Sequence, residues 1–160
     1  MRTLIVYYSL EGNTRLAAER IAERIGADTL RLVPKKAYAD KGFAKFFRGG
    51  KSSVMAEAPA LEPFDTDLAR YDRIILGFPV WAGSFAPPIR SFVLAQAPTL
   101  REKRLAAFAC QSGAGGEKAL ARLQACIGAE RFDAVGIFRD PKTRPSAAAD
   151  AAIEAFIAAL

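Results

Sequence analysis

Three short stretches concentrate the residue types that bind or react. The first, Ser9-Leu10-Glu11-Gly12-Asn13-Thr14, sets two hydroxyls, an amide and a glycine between an apolar run and a helical pattern. A turn of this kind at a helix N-terminus cradles an anion, because backbone N–H groups and the helix dipole point at it and the Ser and Thr hydroxyls can donate to it. The loop holds no lysine or arginine, so an anion bound there is expected to need no cationic side chain. The same residues also suit a plain helix cap. A P-loop would need a lysine after its second glycine, and a dinucleotide turn would need Gly-x-Gly-x-x-Gly; neither is present.

The second stretch, Pro79-Val80-Trp81-Ala82-Gly83-Ser84-Phe85, follows a buried apolar run. A tryptophan among small residues at the end of a strand makes a planar wall, or it seals the sheet end as ordinary core. The third, Gln111-Ser112-Gly113-Ala114-Gly115-Gly116, has three glycines in four residues, which lets a backbone approach a ligand closely. It misses a dinucleotide fingerprint by one residue, since Lys118 stands where the third glycine would be.

The residues that are missing narrow the chemistry. The chain has no histidine, which removes Ser–His–Asp and Cys–His nucleophile systems. Cys110 and Cys126 lack the clustered spacing of a zinc site, so no metal is expected, and their flanks mark them as small buried residues and not a bridge. A protein this poor in acid–base groups either works by binding or takes its chemistry from a cofactor.

These stretches are positioned by strands alternating with helices. Thr3 to Tyr8, Thr29 to Val33, Arg73 to Phe78, Lys103 to Cys110 and Phe132 to Phe138 read as five strands. Leu16, Ala17, Ile21 and Ile25 mark a first helix stopped by Gly26. Pro87 and Pro88 open a helix that buries Ile89, Phe92 and Val93 and is expected to end before Pro98. Leu120, Leu123 and Ile127 mark another, and Ser146 caps the last, with Ile153, Phe156, Ile157 and Leu160 on one face. Such alternation predicts an α/β domain with a five-stranded parallel sheet between two helical layers, in the order 2-1-3-4-5. In that order the crossovers reverse between strands one and three, opening a crevice at their carboxyl ends. The first two loops flank the crevice and the third comes next.

The 160 residues suit one domain, 1–160, with a basic insertion-like crossover at about 34–71. Of the net charge of +6, residues 35 to 51 contribute +5, through Lys35, Lys36, Lys41, Lys45, Arg48 and Lys51 against Asp40. Phe43, Phe46 and Phe47 predict a short helix there, and the segment is expected to act as a flap or interface. No apolar run approaches the roughly 20 residues of a membrane helix. The opening residues are too short and β-rich for a secretory signal, so a cytoplasmic location is expected.

On Tyr8 to Thr14, Gly77 to Ser84, Pro88-Ile89-Arg90-Ser91-Phe92 and the Ser112-to-Gly116 loop, the sequence resembles the flavodoxin family over nearly its whole length. The resemblance implies a flavodoxin-like three-layer sandwich that binds flavin mononucleotide (FMN). Its phosphate would lie on Ser9, Glu11 (through the backbone), Gly12, Asn13 and Thr14. Ring contacts would come from Pro79, Val80, Trp81, Ala82, Gly83 and Ser84, and from Gln111, Ser112, Gly113, Gly115 and Gly116. Electron-carrier flavodoxins tend to be acidic and to stack a tyrosine from the strand-four loop. This chain is basic, has no aromatic in that loop, and looks more like the small family members of unassigned role.

Three functions remain open. The first is an FMN-dependent oxidoreductase, of the kind that reduces quinone-like acceptors with NAD(P)H. The second is a non-catalytic electron-transfer protein that docks an acidic redox partner through residues 35 to 51. Ranked last is a phosphate-binding module for nucleic acid or membrane, because that basic stretch interleaves aromatics at core spacing and charge runs usually form solvated faces. The expected partner is thus a redox protein or a small-molecule acceptor, without nucleic acid or membrane, and a homodimer is compatible with the sequence.

Overall fold

The computed structural model describes residues 1–38 and 57–160. Its strands are β1 (Thr3–Tyr7), β2 (Asp28–Arg31), β3 (Arg73–Trp81), β4 (Ser84–Phe85), β5 (Arg104–Gln111) and β6 (Ala134–Arg139). Its helices are α1 (Asn13–Ile25), α2 (Pro87–Arg101), α3 (Gly116–Ile127) and α4 (Ala147–Ala158). The sheet runs β2-β1-β3-β5-β6, all parallel, with β4 folded back antiparallel on β3. With the two-residue β4 set aside, this is the 2-1-3-4-5 order expected from the sequence.

Alternation along the strands builds two cores. Leu4 and Val6, Ile74, Leu76 and Phe78, and Leu105, Ala107 and Ala109 face α2 and α3. Ile5 and Tyr7, Ile75, and Ala106, Phe108 and Cys110 face α1 and α4. Because both faces are covered, the inner strands read as continuous apolar runs. The edge strand β6 instead alternates, with Val135 exposed.

One position on this sheet carries no side chain for a steric reason. Gly77 pairs with Phe108 across β3 and β5, and a Cβ at Gly77 would fall on the Phe108 ring, within 2.8 Å of Cε1. Phe108 is fully buried against Phe138 and Phe156 and has no space to retreat. Gly77→Ala is therefore expected to cost about 1–3 kcal/mol by overpacking, read as a lowered midpoint in thermal or urea unfolding. An unchanged midpoint would contradict the packing described.

Four expectations need correction. The second strand, expected over Thr29 to Val33, spans Asp28–Arg31. Helix α2 does not stop before Pro98 but runs on to Arg101. The carbonyl that Pro98 leaves without its helical partner belongs to Leu94, which is 56% exposed and can be hydrated instead. Buried Leu100 pulls the last turn onto the core. Strand β3 continues past Phe78 through Pro79, Val80 and Trp81. Tyr8 N donates to Gly77 O, so the polar edge of Gly77 faces β1. Two residues on, Pro79 faces the same side beyond the end of β1, where no ladder bond is lost. The last strand begins at Ala134 and not Phe132, because Asp133 N is taken up by Leu105 O as the chain enters the sheet. Between Pro34 and Tyr71 the described residues show a bridge of Pro34 to Leu61 and a single 3-10 turn, Leu68–Arg70. The short helix expected around Phe43, Phe46 and Phe47 lies outside the described residues.

Candidate functional site

A cleft of about 360 Å³ opens at the carboxyl ends of β1, β3 and β5, where the strand order reverses. At one end lies the turn from β1 into α1. Its cap residue, Gly12, sits at φ 100 and offers no side chain to the helix. The Ser9 hydroxyl oxygen instead accepts from the amides of Gly12 and Arg15, both at 3.2 Å. That leaves the Ser9 O–H to donate, and the amides of Asn13 and Thr14 have no acceptor among the described residues.

Thr14 carries the most telling atom. Its Oγ1 is buried and without a hydrogen-bond partner, on a residue that is 1% exposed and lines the cleft. Beside it lies the Cys110 thiol, at best a weak partner. Burial pushes that thiol up to about 12; the Thr14 hydroxyl pulls it the other way and the Asp140 charge adds to the rise. Cys110 therefore stays protonated and inert at neutral pH. Alkylation at pH 8 is expected to modify the less buried Cys126 and spare Cys110, as peptide mapping would show. Modification of Cys110 first would mean that the floor of the cleft is more open than described.

The Asn13 side chain is engaged within the protein, while its backbone amide stays open toward the cleft. Its side-chain oxygen accepts from Lys142 N (2.8 Å) and Thr143 N (3.0 Å), and its amide donates to Thr143 Oγ1 (3.2 Å). Asn13 thus lines the cleft but spends its side chain tying the turn to the segment after β6.

At the other end, β3 and β4 form a two-residue hairpin through Ala82 and Gly83, both at positive φ (50 and 67). This turn matches the twist of the flanking strands. It holds Trp81 half-buried on the cleft wall, with Pro79, Val80 and Ala82 beside it. The indole meets Tyr8 edge-on at 5.7 Å and Tyr38 at 5.2 Å, so two rings brace it. Burial, with Tyr38 second, raises the Tyr8 phenol well above its ordinary range and keeps it neutral.

The β5–α3 turn closes the remaining side. Gln111 Oε1 accepts from Gly116 N at 2.8 Å, and its amide donates to Gly113 O at 3.2 Å. Gly115 sits at φ 103, and a Cβ there would meet the Gly83 Cα at 3.1 Å, so this glycine lets two walls of the cleft touch. Ser112 and Gly113 line the cleft. Gly12, Gly83, Ser84, Gln111, Gly115 and Gly116 belong to the same turns but are not among the residues that line the cleft.

Leu10 and Ala114, within the first and third stretches, also line the cleft; two lining residues, Cys110 and Asp140, lie outside all three stretches. Asp140 is a buried carboxylate at φ 41, bonded by Ser112 Oγ at 3.0 Å and Arg144 Nη2 at 2.8 Å. An acid directly after the last strand, at the carboxyl edge of the sheet, was the available signal. Among the described residues no helix is long and apolar enough to cross a membrane.

The matrix of strands, the switch-point cleft and its three turns define a flavodoxin-like α/β protein. The chain belongs to the flavodoxin family, whose model matches residues 2–148. Its fold is shared with a flavoprotein of Lactobacillus acidophilus solved in complex with FMN, at 24% identity and a TM-score of 0.71, covering 88% of this chain and 93% of that one. A Bacteroides eggerthii protein described as a candidate flavoprotein aligns at 20% identity and TM-score 0.76, covering 98% and 96%. Megasphaera elsdenii flavodoxin aligns at 18% and 0.62, covering 98% and 96%.

Proposed function

We propose that this protein binds FMN in the switch-point cleft and passes electrons through it. The unpartnered Thr14 hydroxyl, buried among free helix-terminal amides, carries the reading: a polar atom left dry costs free energy unless a ligand satisfies it. The residues present fit the group. Ser9, Thr14 and the first-turn amides would hold the phosphate, Asp140 and Ser112 offer polar atoms to the hydroxylated linker, and Trp81, Val80 and Pro79 give the ring an apolar wall. The cleft volume falls in the range of small-molecule sites, roughly 300–1,000 Å³. When bound, FMN supplies reversible uptake of electrons, which the side chains here cannot. The protein holds the phosphate, orients the ring through a tryptophan braced by two tyrosines, and keeps water from one face.

Within that reading we favour an oxidoreductase acting on quinone-like acceptors with NAD(P)H, since the β5–α3 turn puts no aromatic over the cleft and leaves the ring approachable. A second reading, electron transfer to an acidic protein, has its own support. Exposed Arg122 and Arg139 donate to the carbonyls of Gly83 (3.2 Å) and Gly113 (3.0 Å), placing cations on both turns at the ring end. Residues 39 to 51 of the basic segment lie outside the described residues. Steady NADPH oxidation by the FMN-loaded protein with a soluble quinone would support the enzyme. No turnover with either nicotinamide, but salt-sensitive reduction by a reductase, would support the carrier.

A further inference from the structure

The turn that would hold the phosphate contains no cation in sequence, yet the fold brings two to it. Lys142, which follows β6, has its Nζ 3.5 Å from the carbonyl oxygen of Glu11. It lies so close over Gly12 that a Cβ there would stand 2.6 Å from Nζ. From the other side Arg31, at the end of β2, donates from Nη2 to the carbonyl of Ser9 at 3.4 Å. Neither cation has an ion-pair partner among the described residues.

Lys142 is not a free surface lysine at its base. Its backbone amide is fixed to Asn13 Oδ1, and Thr143 shares three more bonds with the same side chain. The residue is thus anchored to the turn across a separation of 129 positions. Gly12 completes the arrangement: its φ of 100 favours glycine, and with no side chain there the Lys142 end can lie directly over the turn.

The bonding geometry says what the cations do. In a trans peptide the C=O and N–H point in opposite directions. Arg31 on Ser9 O therefore polarises the peptide whose N–H belongs to Leu10, and Lys142 on Glu11 O does the same for the N–H of Gly12, which donates to Ser9 Oγ and so makes that hydroxyl a stronger donor toward the anion. Two cations behind the turn raise the positive potential at its amide side without entering the cleft; Lys142 and Arg31 are absent from the lining. We infer that Lys142 and Arg31 form a cationic brace behind the anion turn, selecting a phosphorylated flavin over its unphosphorylated form. They are positioning residues, and the inference rests on the FMN reading above.

The experiment compares dissociation constants for FMN and riboflavin, by fluorescence titration at low salt, in the wild type, Lys142→Met, Lys142→Arg and the Arg31→Met/Lys142→Met double variant. Lys142→Met is expected to weaken FMN about threefold and the double variant about tenfold, the scale of exposed charges acting close to an anion at low salt. Riboflavin binding should stay within about twofold, Lys142→Arg should restore FMN affinity, and added salt should shrink the FMN differences. Thermal unfolding of each apo variant checks the fold independently. Equal losses for FMN and riboflavin, or no loss for FMN in the double variant, would overturn the brace while leaving FMN binding intact. A wild type that binds neither flavin would overturn the FMN reading itself.

Discussion

Replacing Thr14 by valine is expected to raise the FMN dissociation constant by on the order of 10- to 100-fold. Valine keeps the shape of threonine and removes only the hydroxyl. In the free protein that hydroxyl has at best the weak Cys110 thiol beside it, so its loss should leave stability nearly unchanged. In the complex it would donate to a charged phosphate, an interaction of about 1.5–3 kcal/mol. The contrast makes the variant informative: apo stability holds while FMN affinity falls. Riboflavin has no phosphate, and its binding should barely change. Unchanged FMN affinity would mean that the phosphate does not lie on this turn.

Trp81 should report the other end of the ligand. It is the sole tryptophan of the chain, so its emission is a clean signal. It lines the cleft, braced by Tyr8 and Tyr38, and saturation with FMN should quench most of its fluorescence. Trp81→Ala removes an aromatic contact of about 0.5–1.5 kcal/mol, so FMN and riboflavin should both weaken, by up to about tenfold. That pattern differs from Thr14→Val, which discriminates between the two. Emission near the apo level at saturation would place the ring away from Trp81.

Much of this site was legible in the sequence because local rules and topology agreed. The three turns follow strands whose apolar continuity is unmistakable, and strand–helix alternation alone predicts which turns meet at the switch point. What escaped detection depends on contacts far apart in sequence. Asp140 is defined by Ser112, 28 positions away, and Lys142 reaches Glu11 across 131. No period or motif announces such pairs. Asn13 shows a related effect: its side chain is consumed by Lys142 and Thr143, so what it can offer an anion is its backbone amide. The strand expected to end at Phe78 and the helix expected to end before Pro98 both run on through a proline, for a common reason. Proline ends an element only where its missing N–H would have been needed, and at both positions the tertiary setting removes that need.

The central claim is that the cleft holds FMN. Its most direct test is the visible absorption spectrum of the purified protein after incubation with FMN and removal of free ligand. The account predicts a retained flavin band at one FMN per chain, shifted from the free cofactor by the apolar wall at Trp81. A colourless protein, with all the flavin recovered in the flow-through, would contradict it.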